Sequence, residues 1–254
     1  AAGSRGRGTV WAALAAAVLA LLGLAGFAAV APVDAQTATP TPLPLYALPD
    51  ASRTRSYTSN TLALADEGRV LVVANQLNGT VSIVEVVVPN QARTRREVAV
   101  GSDPRGLAVT VNGRTALVAL RGDNALALVD VREGLLTGAI PLGGALPYAV
   151  VAGSDTTAYV SLMGSSEIVV VDLVAGQVTQ RIPVAANPAG LALWGEFLYV
   201  THFWSGAVSL IYVPQARVID TVPVGVDTAA AQAIELDITR GLAYLPQTRN
   251  NAQN

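Results

Sequence analysis

The chain has 254 residues, of which 52% are hydrophobic and only 13% charged, which excludes a disordered polar chain. The net charge is −2, and no basic stripe exists beyond Arg93, Arg95 and Arg96, so nucleic-acid binding is not expected. The absence of cysteine excludes disulfides, thiolate metal sites and covalent haem attachment within these residues. The sequence therefore predicts no cofactor held by these residues.

The first 35 residues have the pattern of a secretion signal. Arg5 and Arg7 precede an apolar stretch over residues 10–31, and small residues then permit cleavage after Ala35. The stretch is also long enough to span a bilayer, so an uncleaved anchor remains the alternative. Membrane contact is expected only through residues 10–31, and only if they are retained. The sequence predicts an exported protein, in the periplasm, at the cell surface or outside the cell.

Residues 36–57 are rich in threonine and proline. Repeated prolines remove backbone donors and fix φ, which prevents both a helix and a central strand. This segment is therefore predicted to be a linker between the signal and the rest of the chain.

A repeat fills residues 58–254. Four ungapped segments of 13 residues start at Val73, Val118, Val160 and Val200, at spacings of 45, 42 and 40 residues. A fifth copy starts 45 residues further on, at Leu245. Each complete copy reads as a strand, a polar turn and a second β-branched strand, which is the pattern of a hairpin.

Prolines place two further strands in each unit. Proline cannot donate to a ladder, so the strands that carry Pro141, Pro183 and Pro223 are predicted to be the outermost of their sheets. A second set of prolines marks a turn before the short strand that opens each unit, at Pro104, Pro147 and Pro188. Each unit is then four strands in roughly 43 residues, the size of a propeller blade.

The repeat resembles the YVTN-type β-propeller repeats of bacterial exported proteins. The residues that carry the resemblance are Pro-x-Gly-Leu-Ala-Val, the segment Tyr199-Val200-Thr201-His202, Val-Ser-Leu-Ile and the Ile-Pro-Val-like endings. The resemblance covers about residues 58–254 and implies an all-β propeller of four-stranded antiparallel blades. Four blades and part of a fifth are visible.

Relatives with such repeats usually have seven blades, so a C-terminally incomplete seven-bladed ring is expected. The resulting arc would leave its end strands, near residues 62–65 and 242–245, facing solvent. A short strand near residues 55–59 would lack the last blade as its partner.

The resemblance is specific for the fold and much less specific for the function. It favours a non-catalytic binding or scaffolding module for a protein, a polysaccharide or a small ligand. The first alternative is the propeller portion of a larger periplasmic haem- or quinone-dependent redox protein. The second is a lactonase-like hydrolase, which is least favoured because His202 is the single histidine.

Seven residues are candidates for ligand binding because they lie near turns on one face of the predicted blades. They are Arg105, Arg121, Asp123, Tyr148, His202, Phe203 and Trp204. Arginine and aromatic side chains exposed on turns are favoured for recognition. Packing of the aromatic residues between blades is the alternative, and a structural role at a turn is the alternative for His202.

Other charged residues receive structural interpretations. Glu85, Asp130 and Asp172 recur at one repeat position and are predicted to accept hydrogen bonds at strand ends. The arginines at residues 93–96 are predicted to lie in a solvated loop rather than in a phosphate site. No residue is assigned a catalytic or metal-binding role.

Overall fold

The computed structural model describes residues 57–58, 61–88, 91–224 and 228–249. The predicted signal segment and nearly all of the linker lie outside these ranges. The chain divides into a unit of Thr54–Leu236 with Ala243–Asn254 and a unit of Ala1–Arg53 with Asp237–Leu242. Apart from Asp237–Leu242, the residues described below belong to the first of these units. None of the helical segments in the described ranges has the length and hydrophobicity of a membrane span.

The described residues are almost entirely β structure. A short first strand is β1 (Tyr57–Thr58). The first sheet contains β2 (Leu62–Ala65), β3 (Val70–Asn75), β4 (Thr80–Val88) and β5 (Gln91–Ala99). The second contains β6 (Pro104–Val109), β7 (Thr115–Leu120), β8 (Ala125–Asp130) and β9 (Leu135–Pro141). The third contains β10 (Pro147–Ala152), β11 (Thr157–Leu162), β12 (Glu167–Asp172) and β13 (Gln177–Pro183).

The fourth sheet contains β14 (Pro188–Trp194), β15 (Phe197–His202), β16 (Ala207–Tyr212) and β17 (Arg217–Pro223). Four short strands follow, namely β18 (Thr228–Ala229), β19 (Glu235–Asp237), β20 (Leu242–Tyr244) and β21 (Thr248–Arg249). The 3-10 helix Asp66–Gly68 forms a turn within the first sheet, and the 3-10 helix Val213–Gln215 forms a turn within the fourth.

Within each sheet the strands pair antiparallel in chain order, so the fourth strand is the outermost. Pro141, Pro183 and Pro223 are the last residues of these outermost strands. The predicted edge position of the proline strands is therefore confirmed, and its reason is the missing backbone donor.

Strand β1 departs from the expectation that it has no partner. Tyr57 pairs with Leu193 and Thr58 pairs with Ala192, so β1 adds antiparallel to β14 of the fourth sheet. The first strand of that sheet had a vacant edge, and backbone donors and acceptors at an edge accept another strand irrespective of its sequence.

The core consists of three clusters of buried residues, each between two successive sheets. Leu107 and Val118 belong to the first cluster, Leu126 and Leu162 to the second, and Leu198 to the third. Sheets that bury both faces read as nearly continuous apolar runs, which explains their weak alternation in the sequence. Four-stranded antiparallel sheets packed in this way are blades, and the predicted β-propeller fold is confirmed.

The first blade has an exposed apolar strand. Leu62 and Leu64 on β2 are exposed, as the sequence predicts for the end of the arc. None of the buried clusters in the described part of the chain joins the first blade to the fourth.

Buried hydroxyl groups bridge consecutive blades. Thr201 Oγ1 accepts a hydrogen bond from the Gly190 amide (2.9 Å) and donates one to the carbonyl of Ala231 (2.7 Å). Ser161 makes the same two bonds one blade earlier, with the amide of Ala149 and the carbonyl of Ala189. Ala231 thus takes the position that Ala189 has in the fourth blade, which aligns the segment after residue 230 with the start of a further unit.

Candidate functional site

A repeated turn begins each new blade and positions the candidate residues. Asp103 and Leu146 have positive φ angles of 49° and 56°, and a proline follows each of them. The ladder register then shifts between Pro104 and Leu107, which is a β-bulge. A bulge changes the direction of side chains relative to the regular pleat. The Arg105 side chain therefore does not point where it would in a regular strand.

Arg105 and Arg121 share one carboxylate. Arg105 Nε lies 2.9 Å from Asp103 Oδ1, and Arg121 Nη1 lies 3.5 Å from Asp103 Oδ2. Arg105 Nη1 also donates a hydrogen bond to Gln76 Oε1 at 3.1 Å. Tyr148 lies near both guanidinium groups, and its hydroxyl donates to Gln232 Oε1 at 3.3 Å. We call these six residues, Gln76, Asp103, Arg105, Arg121, Tyr148 and Gln232, the paired-arginine cluster.

The cluster is half-buried and has an excess of positive charge. The side chains of Arg105, Arg121 and Asp103 are 30%, 33% and 34% exposed, so solvent reaches all three. The Nε atoms of both arginines are buried without an aligned hydrogen-bond acceptor in the described part of the chain. Two guanidinium groups with one carboxylate retain donors for an additional anion.

Tyr148 supplies a neutral donor beside the two cations. Burial raises the pKa of the Tyr148 hydroxyl, and the positive charges of Arg105 and Arg121 partly oppose that shift. The phenol therefore stays protonated at neutral pH and can donate a hydrogen bond. An arginine pair with an adjacent phenol can hold a carboxylate or another oxyanion.

Three of the sequence candidates, Arg105, Arg121 and Tyr148, come together in this cluster. Asp123 lies beside it, and its exposed carboxylate accepts a hydrogen bond from the Ser102 amide at 2.7 Å, which shapes the turn. Three members of the cluster were not predicted from the sequence: Gln76, Asp103 and Gln232.

A signal for the missed residues exists in the repeat. Gln76 follows the second strand of its blade, as Arg121 does in the next blade. Gln232 is two residues after Ala230, whose φ of 59° matches that of Leu146 two residues before Tyr148. Alignment of turns as well as strands would have identified these equivalent positions.

His202 lies outside the cluster and is fully buried at the end of β15. Its Nδ1 lies 3.0 Å from the Ala186 carbonyl, and its Nε2 lies 2.7 Å from Ser209 Oγ. Because a carbonyl only accepts, Nδ1 carries the proton and Nε2 accepts from Ser209. The same pair recurs in the first blade, where Asn75 donates to Ser82 Oγ at 2.8 Å. The geometry thus gives His202 a structural contact rather than a ligand-facing one.

His202 should make folding stability sensitive to acid. Burial lowers its pKa from the ordinary value of 6.5, and hydrogen bonds to the Ala186 and Ala185 carbonyls partly oppose this. The unfolded chain then binds the proton more readily, so stability is full above pH 6.5 and is lost as pH falls through the lowered pKa. Urea unfolding at several pH values should show this loss in the wild type and not in His202→Asn. Equal acid sensitivity in the two proteins would contradict the assignment.

Phe203 and Trp204 follow His202 in a turn. The two rings meet edge to face with centroids 4.6 Å apart, and Trp204 is 67% exposed. Phe203 has the same repeat position as Arg121, directly after the second strand of its blade. Trp204 is therefore a surface aromatic side chain held by its neighbour, which suits it to ligand contact.

The remaining charged candidates have structural contacts in two blades. Asp130 Oδ1 accepts from the Glu133 amide at 2.7 Å, and Asp172 Oδ1 accepts from two amides at 2.8 Å. The predicted role at strand ends is thus confirmed for these two carboxylates. Among the described residues, no three histidine, aspartate or glutamate side chains form a group that could hold a metal ion.

The arginines at 93–96 were predicted to lie in a loop. They lie instead within β5, the outermost strand of the first blade. The prediction was wrong because the first hairpin is longer than the others, with nine residues in each of β4 and β5.

Comparison with known proteins identifies the fold and no family. No family model and no curated protein matches the chain. Among solved structures 916 chains match, so the fold is too widely shared to specify a function. One of them is Kuenenia stuttgartiensis hydrazine synthase, with a TM-score of 0.61 and 20% identity. That match covers 68% of this chain and 51% of the other, so the chain spans about half the length of that structure.

Proposed function

We propose that this protein is an exported, non-catalytic propeller of the YVTN type that binds an anionic ligand at the paired-arginine cluster. The observation that carries the proposal is the sharing of one carboxylate, Asp103, by Arg105 and Arg121 beside the Tyr148 hydroxyl. Three successive blades and the segment after the fourth contribute to the cluster. A ligand held there is contacted by several blades at once, and such binding needs no catalytic group.

The chemistry of the cluster favours binding over catalysis. Apart from the shared carboxylate of Asp103, its side chains provide cationic and neutral donors, and His202 is buried with Ser209 as its partner. Guanidinium groups recognise carboxylate, sulfate and phosphate groups with two parallel hydrogen bonds. The exposed Trp204 ring offers a second contact of the kind that stacks on a sugar face.

Replacing Arg121 with alanine should weaken binding of an acidic polysaccharide. The probe is an oligogalacturonate, which carries a carboxylate on each sugar, and the measurement is isothermal titration calorimetry of the exported protein. Loss of a charge-assisted contact predicts about a tenfold rise in Kd.

Trp204→Ala should raise the Kd to a similar extent and leave the urea midpoint unchanged, because its side chain is largely exposed.

Two controls accompany that titration. Arg217→Ala removes the same charge from an exposed position on β17 and should leave the Kd unchanged. A neutral oligosaccharide of equal length should bind at least tenfold more weakly than the acidic one. Equal affinity for the neutral sugar, or unchanged affinity in Arg121→Ala, would rule out an anionic ligand at this cluster.

A second candidate function has one supporting observation. The structural neighbour is named as an enzyme, hydrazine synthase, and the match covers about half of that chain. This supports the alternative in which the propeller is part of a larger haem- or quinone-dependent redox protein. Purification of the full gene product from its native host would decide the matter, since a haem absorption band in the purified protein favours this candidate.

A further inference from the structure

Two consecutive arginines on β5 face the same pocket, which a regular strand does not allow. Side chains of neighbouring strand residues point to opposite faces. Here Ile83 pairs with Arg96 and Val84 pairs with Thr94, so Arg95 is the extra residue of a β-bulge. The bulge places both Arg95 and Arg96 on one side.

The bulge recurs in the other blades with different side chains. Thr137 and Thr179 are the extra residues in the second and third blades. The hydroxyl group of each donates a hydrogen bond to a carbonyl of the neighbouring strand. Among the described residues, Arg95 makes no such hydrogen bond to a strand carbonyl. Its guanidinium extends instead to the junction between the first and second blades.

A pocket of about 90 Å³ lies at that junction. It is lined by Ile83, Arg95, Arg96, Val131, Arg132 and Gly134, and we call it the blade-junction pocket. A volume near 90 Å³ is several times the space that one water molecule needs, which leaves room for a tetrahedral oxyanion. The wall from the second blade is a turn fixed by hydrogen bonds from the Gly134 and Glu133 amides to Asp130.

The arginines of this pocket make at most long ion pairs with carboxylates. Arg95 Nε lies 3.9 Å from Glu85 Oε2, and Arg132 Nε lies 3.9 Å from Glu133 Oε1, beyond hydrogen-bond distance. Arg96 has no carboxylate within ion-pair distance in the described part of the chain. Three guanidinium groups therefore retain donors that no protein group uses.

We propose that the blade-junction pocket binds a doubly charged oxyanion, a sulfate or phosphate group, through Arg95, Arg96 and Arg132. The ligand would join the first blade to the second through residues that do not belong to the paired-arginine cluster. The bulge supplies two of the cations, and the turn of the second blade supplies the third. This site is independent of the proposed function and has its own test.

A substitution at Gly134 can test the role of Arg96. A Cβ at Gly134 would lie 2.4 Å from Arg96 Cδ, so alanine there displaces the arginine stem. Alanine at this positive φ is strained, but the turn can hold it, because Ala216 occupies the equivalent turn of the fourth blade with a φ of 46°. Gly176 occupies the equivalent turn of the third blade, where an added Cβ meets nothing within 4 Å. Gly176→Ala is therefore a control matched in backbone geometry.

The experiment is calorimetric titration of the exported protein with sodium sulfate, and separately with sodium phosphate, at constant ionic strength set with sodium chloride. All proteins carry Arg121→Ala, which weakens any binding at the paired-arginine cluster by about tenfold and separates it from the second site. We expect one site that Arg96→Gln and Gly134→Ala each weaken by about tenfold. Gly176→Ala and Arg217→Gln should leave the affinity unchanged. Urea midpoints establish that each variant is folded.

Every outcome bears on the proposal. Binding of sulfate or phosphate that weakens about tenfold in Arg96→Gln and Gly134→Ala, and keeps its affinity in both controls, supports it. No binding above the chloride reference overturns it, as does equal weakening by Gly134→Ala and Gly176→Ala. Should Gly134→Ala fail to fold, Arg96→Gln with Arg217→Gln as its control decides the result alone, because Arg96 is exposed on an outer strand.

Discussion

Replacing Leu126 with alanine is expected to lower the free energy of unfolding by about 3 kcal/mol. Leu126 is fully buried in β8, between Ala119 and Ile140 of the neighbouring strands. It belongs to the cluster that packs the second blade against the third, so the lost methyl groups leave a cavity between two blades. Both blades carry part of the paired-arginine cluster, and loosening this packing should also weaken ligand binding.

Urea unfolding followed by circular dichroism measures this effect. With an ordinary dependence on denaturant, the midpoint should fall by about 1.5 M. Leu135→Ala is the matched control, because Leu135 lies on β9 of the same blade and is 55% exposed. It should change stability by no more than about 0.5 kcal/mol. Equal losses in the two variants would mean that the interface between these blades does not limit stability.

Replacing Thr201 with valine should cost a similar amount, about 3 kcal/mol, although valine has nearly the same shape. The Thr201 hydroxyl serves the Gly190 amide and the Ala231 carbonyl, and all of these groups are withdrawn from water. Valine leaves one buried donor and one buried acceptor without partners. The expected loss comes from their desolvation and not from packing.

Thr179→Val provides the comparison for that variant. Thr179 also donates to a carbonyl, that of Val170 at 3.2 Å, but it is exposed on the outer strand of the third blade. Water can replace its hydroxyl there, so urea midpoints should shift by no more than about 0.5 kcal/mol. A loss in Thr201→Val no larger than in Thr179→Val would show that the hydroxyl bridges do not hold consecutive blades together.

Much of the candidate site could be anticipated from turn positions. Arg105, Arg121 and Tyr148 were identified because they follow prolines or strand ends at repeated places. His202 was identified for the same reason and proved to be buried, with Ser209 as its partner. A repeat position predicts where a residue lies along the strand, but the direction of the side chain depends on the register of its pairing.

Residue types alone predicted most of the strands, their order in each blade and the outermost position of the proline strands, but not the length of β5. These features depend on local chemistry, since turns join neighbouring strands and proline lacks a donor wherever it stands. The shared contact of Arg105 and Arg121 with Asp103, and that of Tyr148 with Gln232, 84 residues away, depend on how the blades pack in three dimensions. The same holds for Arg95 and Arg96, which face one pocket. The reason is that bulges and contacts between blades change the direction of side chains without leaving a distinct mark on residue type.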